Sequence, residues 1–300
     1  MKKPPPNPLA DPDVPPGMSV ELLKDLHLLT REGQLNADAR RKLKQIRHLV
    51  GLLRPALDEA YAKHQAPVVV DCGAGKSYLG FLLSALVVEP AGRGELFAVE
   101  SRAELVAAAE ARARRFGHQR FHFVGGAIAG ASLPDGLHVL TALHACDTAT
   151  DDALALGIAR GAETIAVVPC CQAEVARQLE TPAPRDAVDE ALIAHPLHRR
   201  ELGSHLTNVV RGLCLEACGY KVTVTELVGW EHTAKNELIL GKRVHRYAAS
   251  ARAELRAVLE RFQIEPAIVR ELTVRGLDPR SDPAHLAEPP PAAALAEPAP

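Results

Sequence analysis

Apolar positions at three- and four-residue spacing mark the early part of the chain. Leu43, Ile46, Val50, Leu53 and Leu57 form one stripe within a stretch from Ser19 to about His64 that reads as helix. From Ala66 to about Val244 the pattern changes, with short β-rich runs alternating with longer helical ones, as in a parallel α/β sheet. Strands are predicted at Val68 to Asp71, Leu96 to Glu100, Phe121 to Val124, His138 to Leu143, Thr164 to Val168, Lys221 to Leu227 and Glu237 to Lys242. The last two have no helical run between them, only a loop through Trp230, His232, Lys235 and Asn236, so they are expected to pair antiparallel. The predicted fold is α/β, a seven-stranded sheet of five parallel strands plus an antiparallel pair. Tyr247 to about Gly276 is helical again, with Leu255, Leu259 and Phe262 on one face. The expected organisation is a Pro-rich disordered stretch over 1–17, a helical N-terminal extension over 18–64 and the sheet domain over 65–246. C-terminal helices follow over 247–277, and a disordered Pro/Ala-rich tail over 278–300. There is no internal repeat.

Composition narrows the classes. The chain has 300 residues, 47% of them hydrophobic and 24% charged, enough to bury a sizeable core. A formal net charge of -2 gives no global basic field, so any nucleic-acid surface must be local. Aromatics at 4% argue against base-stacking platforms. No apolar run reaches the length of a membrane helix, and Met1 to Pro16 is too proline-rich for a signal peptide, so the expected compartment is the cytoplasm. The six cysteines show neither a disulfide framework nor a CxxC spacing.

The segment Val68 to Gly80, VVVDCGAGKSYLG, runs from an apolar strand into a glycine-rich turn and a helix start. Gly75-Lys76-Ser77 matches the end of a triphosphate loop, but that loop needs a glycine where Val70 stands, and a β-branched residue suits a strand instead. The competing reading ends the strand on Asp71 and uses Gly73 and Gly75 to bring the backbone close to a ligand. Glu100 then closes the next strand, where doubly wound folds hydrogen-bond a ribose. A carboxylate only accepts, and a ribose diol offers two donors. This D-x-G-x-G turn resembles motif I of class I S-adenosylmethionine-dependent methyltransferases. Five parallel strands ending in an antiparallel pair is the Rossmann-like sheet that resemblance implies.

Two further motifs fall at strand ends: Leu143-His144-Ala145-Cys146-Asp147 after the fourth strand, and Val168-Pro169-Cys170-Cys171-Gln172 after the fifth. Three readings stay open for them. The cysteines are small buried hydrophobes with His144 as a wall residue, or the cluster lines a donor and acceptor pocket, or it holds zinc or a redox centre. Adjacent Cys170 and Cys171 fit poorly around one tetrahedral ion, and no metal is expected.

Together, DCGAGKSYLG, LHACDTATDDAL, VVPCCQ and the His232-Thr233-Ala234-Lys235-Asn236 turn resemble one methyltransferase-domain family. It includes methyltransferase-like proteins, a glutathione S-transferase C-terminal-domain-containing protein and the tRNA 2′-O-methyltransferases of the acceptor stem. The resemblance spans about Arg40 to Val244. It implies S-adenosylmethionine as cofactor, held by Asp71, Gly73, Gly75, Glu100, Ile128 and His144, with a substrate pocket at Pro169, Cys170, Cys171, Lys235 and Asn236. Ser77 departs from the family, many of whose members carry glycine there, and Cys72 stands where a small or hydrophobic residue is common.

An acceptor hydroxyl or protonated amine needs a base, for which His144 and Asp147 are the candidates. The N/D-P-P-Y/F signature of amino-methylases is absent after the fourth strand. Arg40, Lys44, Arg47 and Arg54 fall near one helical face, and His195, His198, Arg199, Arg200, His205 and Arg211 follow the fifth strand. Phosphates would reward both stretches, which favours RNA as the partner over a protein or a small molecule. Solvated helix faces are the plainer alternative. A third has Lys44 and Gln45 turned inward as a lid over the cofactor.

Overall fold

The computed structural model describes residues 11–143, 145, 147–169, 172–181, 183–227, 237–245 and 247–282. Helices α1 (Val20–Asp25) and α2 (Ala37–Lys63) form the N-terminal extension, each opened by a side-chain cap. Ser19 Oγ accepts from the Leu22 N–H at 3.3 Å, and Asn36 Oδ1 accepts from the Ala39 N–H at 2.8 Å. Strand β1 (Val68–Cys72) leads through the glycine turn into α3 (Tyr78–Leu83), a π-helical turn at Ser84–Val88 and the short α4 (Glu89–Ala91). There follow β2 (Glu95–Glu100), α5 (Ala103–Phe116), β3 (Phe121–Gly125), β4 (Leu137–Leu143), α6 (Ala149–Ala159) and β5 (Thr164–Val168). Then come α7 (Glu174–Gln178), α8 (Ala187–Ile193), α9 (Pro196–Ala217), β6 (Tyr220–Glu226), β7 (Glu237–Arg243), α10 (Ala249–Phe262) and α11 (Ala267–Val274).

The strands are ordered β3-β2-β1-β4-β5-β7-β6. β1 with β2, β2 with β3, and β4 with β5 pair parallel, whereas β7 runs antiparallel to β5. All seven strands fall where the hydrophobic pattern predicts them, to within a residue or so at each end. The C-terminal helical stretch is interrupted, because Gln263 takes a left-handed φ of 51° after α10 and Pro266 opens α11.

The chain divides into two compact units, residues 1–133 with 226–237 and residues 134–225 with 238–300. In the first, the stripe Leu43, Ile46, Val50, Leu53 and Leu57 is buried and α2 packs on α3. Phe81 meets Phe121 edge-on with ring centroids 5.1 Å apart. Gly80 is required there, since a Cβ would lie 2.4 Å from Phe121 Cζ. The second unit packs α9 against α7, α8 and α10, and α11 against α6. The α7–α9 contact depends on Gly203, where a Cβ would come within 2.7 Å of the Ala176 backbone.

Candidate functional site

In the first unit, β1 and β2 run parallel in a register that pairs Asp71 with Ala98 and Cys72 with Val99. Parallel pairing brings the turn after β1 and the carboxylate closing β2 to the same end of the two strands. Val70 is fully buried in mid-strand opposite Phe97, which rules out its place as the first position of a triphosphate loop. Cys72 ends the strand fully buried, where a small side chain fits.

Gly73 and Gly75 adopt φ of 64° and 58°, a region that side chains with a Cβ disfavour. Ser77 shares that conformation at 56° and is buried, a backbone position that suits glycine better than serine. The Ala74 N–H donates to the Val99 carbonyl at 3.0 Å, tying the turn to β2. The Gly75 N–H donates to Glu100 Oε2 at 2.7 Å, which joins the glycine motif to the second-strand carboxylate directly. Asp71 is buried at the end of β1, and Ile128 is buried in the short turn Ile128–Gly130 after β3.

Arg102 completes this end of the unit. Its backbone N–H and Nε donate to Glu100 Oε1 at 3.0 and 2.9 Å, and Nη2 donates to Oε2 at 3.3 Å. Burial works to raise the Glu100 carboxyl, but the hydrogen bonds from Arg102 and Gly75 prevail and hold it below the ordinary range. The residues fit an adenosyl cofactor: an accept-only carboxylate sits beside a bare glycine turn, and the nearest atom to a Cβ placed on Gly75 would be Arg102 Nη2, 3.8 Å away.

The second unit brings the turns after β4 and β5 together. Asp147 holds φ at 49°, its Oδ1 accepts from the Ala173 N–H at 3.2 Å and its Oδ2 pairs with Arg177 Nη2 at 3.2 Å. Both oxygens of this candidate base are therefore engaged, one by the turn after β5 and one by α7. Pro169 is buried directly after β5. Beneath the turns, Arg211 is 1% exposed and forks onto Asp151 at 2.8 and 2.9 Å. Burial pushes the Asp151 carboxyl up, and the Arg211 guanidinium pulls against it. His144, Cys146, Cys170, Cys171, Trp230, His232, Lys235 and Asn236 lie outside the described residues. Among those described, no three His, Cys, Asp or Glu side chains gather closely enough to hold a metal ion.

The basic stretches have internal partners, some at helical spacing and some distant in sequence. Arg40 pairs with Asp11 and Asp13, Arg47 donates to the Pro12 carbonyl, and Arg54 and Lys42 pair with Asp58 and Asp38. Lys44 is exposed and Gln45 half-buried. In the second stretch, Arg199 pairs with Glu180 and Arg200 with Glu201, while His195 and His198 meet edge-on. Arg211 is no surface cation; burial against Asp151 removes it from any phosphate contact.

Sequence reasoning missed Arg102, whose only signal was its position two residues after the strand-end acid. It also missed the inward role of Arg211, which its place between Asn208 and the apolar Leu213 and Leu215 hinted at.

Residues 41–178, a little under half of the chain, match a family described as a methyltransferase domain. With the strand order above, this defines a class I methyltransferase fold. Residues 41–178 thus form a methyltransferase domain, and methyltransferases of this fold use S-adenosylmethionine. The chain also resembles the magnesium protoporphyrin IX methyltransferase of Synechocystis PCC 6803 with S-adenosylmethionine bound, at 10% identity and TM-score 0.44, covering 77% of this chain and 100% of that one. An rRNA methylase of Streptococcus thermophilus gives 10% identity and TM-score 0.39 over 65% and 96% of the two chains. A SAM-dependent methyltransferase of Aquifex aeolicus gives 18% and 0.39 over 67% and 97%. At these scores the likeness carries no argument about substrate. The comparison with curated proteins gives no match. Among the described residues no helix is long and apolar enough to cross a membrane.

Proposed function

We propose that the enzyme holds S-adenosylmethionine on Asp71, Gly73, Gly75, Glu100 and Ile128 and transfers its methyl group to RNA. The observation that carries the cofactor assignment is the 2.7 Å bond from the Gly75 N–H to Glu100, which sets motif turn and ribose acceptor side by side. Bound, the cofactor supplies a methyl group already activated on a sulfonium, so the protein's task is positioning. With the Arg102 guanidinium swung away, Glu100 offers an acceptor on each oxygen to the ribose hydroxyls, and the bare backbone of Gly73 and Gly75 lets the adenosyl and methionine parts approach. An acceptor hydroxyl or amine must lose a proton. With Asp147 engaged by Ala173 and Arg177, His144 is the base we assign.

The RNA reading rests on α2, which carries seven Lys and Arg (Arg40, Arg41, Lys42, Lys44, Arg47, Arg54, Lys63) against three acids (Asp38, Asp58, Glu59). This helix packs on α3, the helix into which the glycine turn opens. Exposed ion pairs such as Arg54–Asp58 contribute only about 0–1 kcal/mol, so phosphates can take their cations. The test is to supply labelled methyl donor to a cell lysate with the purified enzyme and then digest with ribonuclease or protease. Release of label by ribonuclease supports RNA, and release by protease alone overturns it in favour of a protein acceptor.

A further inference from the structure

Buried ion pairs are poor sources of stability, because desolvating two charges offsets most of their attraction, and hydrophobic replacements of equal volume are often neutral or stabilising. The pair Arg211–Asp151 is among the most buried on this chain, with side chains 1% and 2% exposed. The remaining donors of Arg211 give it a role that a hydrophobic pair could not fill. Nη2 also donates to the Asp147 carbonyl at 3.1 Å, inside the turn after β4. Nη1 donates to Asn208 Oδ1 at 3.2 Å, and the same oxygen accepts from Gln172 Nε2 at 2.7 Å, in the segment after β5. Ser204 closes the chain of bonds by donating to Gln172 Oε1 at 3.1 Å.

We propose that Arg211 is a positioning residue for methyl transfer, locking the turns after β4 and β5 in one relative geometry. The bond to the Asp147 carbonyl holds a non-glycine residue in the left-handed region, a conformation that lasts only where its surroundings over-determine it. The bonds through Asn208 and Gln172 fix the second turn to the same guanidinium. The two turns are thus joined twice, once by the Asp147–Ala173 bond at the surface and once through α9 beneath. In open α/β sheets ligands bind at the carboxyl ends of strands, so a shift of these turns misplaces the acceptor and leaves the fold intact. The inference rests on transfer occurring beside these turns, and it is independent of whether the acceptor is RNA.

The first variant is the charge-balanced double substitution Arg211→Met with Asp151→Leu. It is expected to melt within a few degrees of wild type, to bind S-adenosylhomocysteine as wild type does, and to lose kcat about 30-fold or more. Arg211→Lys, which keeps the charge and loses the fork, is expected to recover part of that rate. Should the double variant not fold, Gln172→Met cuts only the link to the second turn and is expected to lower kcat about tenfold with KM for the methyl donor unchanged. Rates are read with total RNA and total protein as acceptors, using the fraction that the wild type labels. Wild type that labels only protein refutes the RNA reading and leaves this comparison intact. A folded Gln172→Met or double variant that transfers at the wild-type rate overturns the positioning role.

Discussion

Removing the Arg102 side chain should tighten cofactor binding. Each carboxylate oxygen has about two lone-pair directions, and in this structure those of Glu100 are taken. Oε1 accepts from the Arg102 N–H and Nε, and Oε2 from the Gly75 N–H and Arg102 Nη2. A ribose diol therefore finds an acceptor only after the guanidinium swings away. The Arg102 side chain is 59% exposed, so the latch is a weak, screened pair of about 0.5–1 kcal/mol. That stability leaves the open form at about 15–30% of the population, which weakens the apparent affinity about three- to sixfold. Arg102→Ala is expected to remove this penalty. Calorimetric titration with S-adenosylhomocysteine should show a dissociation constant about three- to sixfold lower than wild type at low ionic strength. Added salt should then close the gap, because it screens the latch in the wild type and has nothing to screen in the variant. Weaker binding by Arg102→Ala would refute the reasoning, since it would make the guanidinium a contact to the cofactor and not its competitor.

Further outcomes are expected elsewhere. Glu100→Gln should weaken S-adenosylhomocysteine binding about 10- to 100-fold, the loss of charge-assisted hydrogen bonds, with no change in melting temperature beyond a few degrees; wild-type affinity in the folded variant would remove Glu100 from the site. For Asp152, burial first, then Glu271 and Asp151, push the carboxyl from 3.8 up to about 6, against the pull of Arg275. Because the folded-state value lies above the unfolded one, ionisation destabilises the fold, and this contribution to stability is lost as pH rises from about 4 through about 6. Asp152→Asn should thus gain about 1 kcal/mol at pH 7.5, after discounting for partial solvent exposure, and nothing at pH 4; urea melts showing an equal gain at both would contradict it. Gly203→Ala should cost about 2 kcal/mol, because the new methyl group meets backbone at Ala176 that cannot yield, and Gly51→Ala, with open space around it, should gain about 0.5–1 kcal/mol. In RNA binding, each of Arg41→Ala, Lys42→Ala and Lys44→Ala should reduce the slope of log affinity against log salt by about 0.7 for a single strand.

The sheet and the glycine turn after β1 were legible because their signals are local. Alternation and run length mark each strand, and Asp71, Gly73 and Gly75 sit within five consecutive residues, the two glycines in a left-handed conformation that a side chain disfavours. Glu100 was legible as the acid closing the next apolar run. What remained hidden depends on partners far apart in sequence. Arg40 and Arg47 read as a free cationic face, yet Asp11, Asp13 and the Pro12 carbonyl reach them from about thirty residues away. Arg211 read as one more basic residue on a helix, since nothing in its neighbourhood announces a carboxylate sixty residues earlier. The partners of Asp147 were hidden for the same reason, since nothing around it in sequence announces the N–H of Ala173 or the guanidinium of Arg177.

The two arginine–carboxylate pairs have opposite roles because their surroundings differ. Arg102 and Arg211 each fork onto an acid with Nε and Nη2, so geometry alone would make them equivalent. Solvent separates them. Arg102 can trade its acid for water at little cost, so a ligand offering two hydroxyl donors can displace it. Arg211 has no water to turn to, and breaking its pair would strand a buried charge at a penalty of about 3–5 kcal/mol. No single hydroxyl or amide of an acceptor matches that. The first pair is therefore placed to open during binding, and the second to hold two turns still while the methyl group moves. Charge-balanced replacement tells them apart: Arg102→Met with Glu100→Leu should abolish cofactor binding, whereas Arg211→Met with Asp151→Leu should keep binding and lose rate.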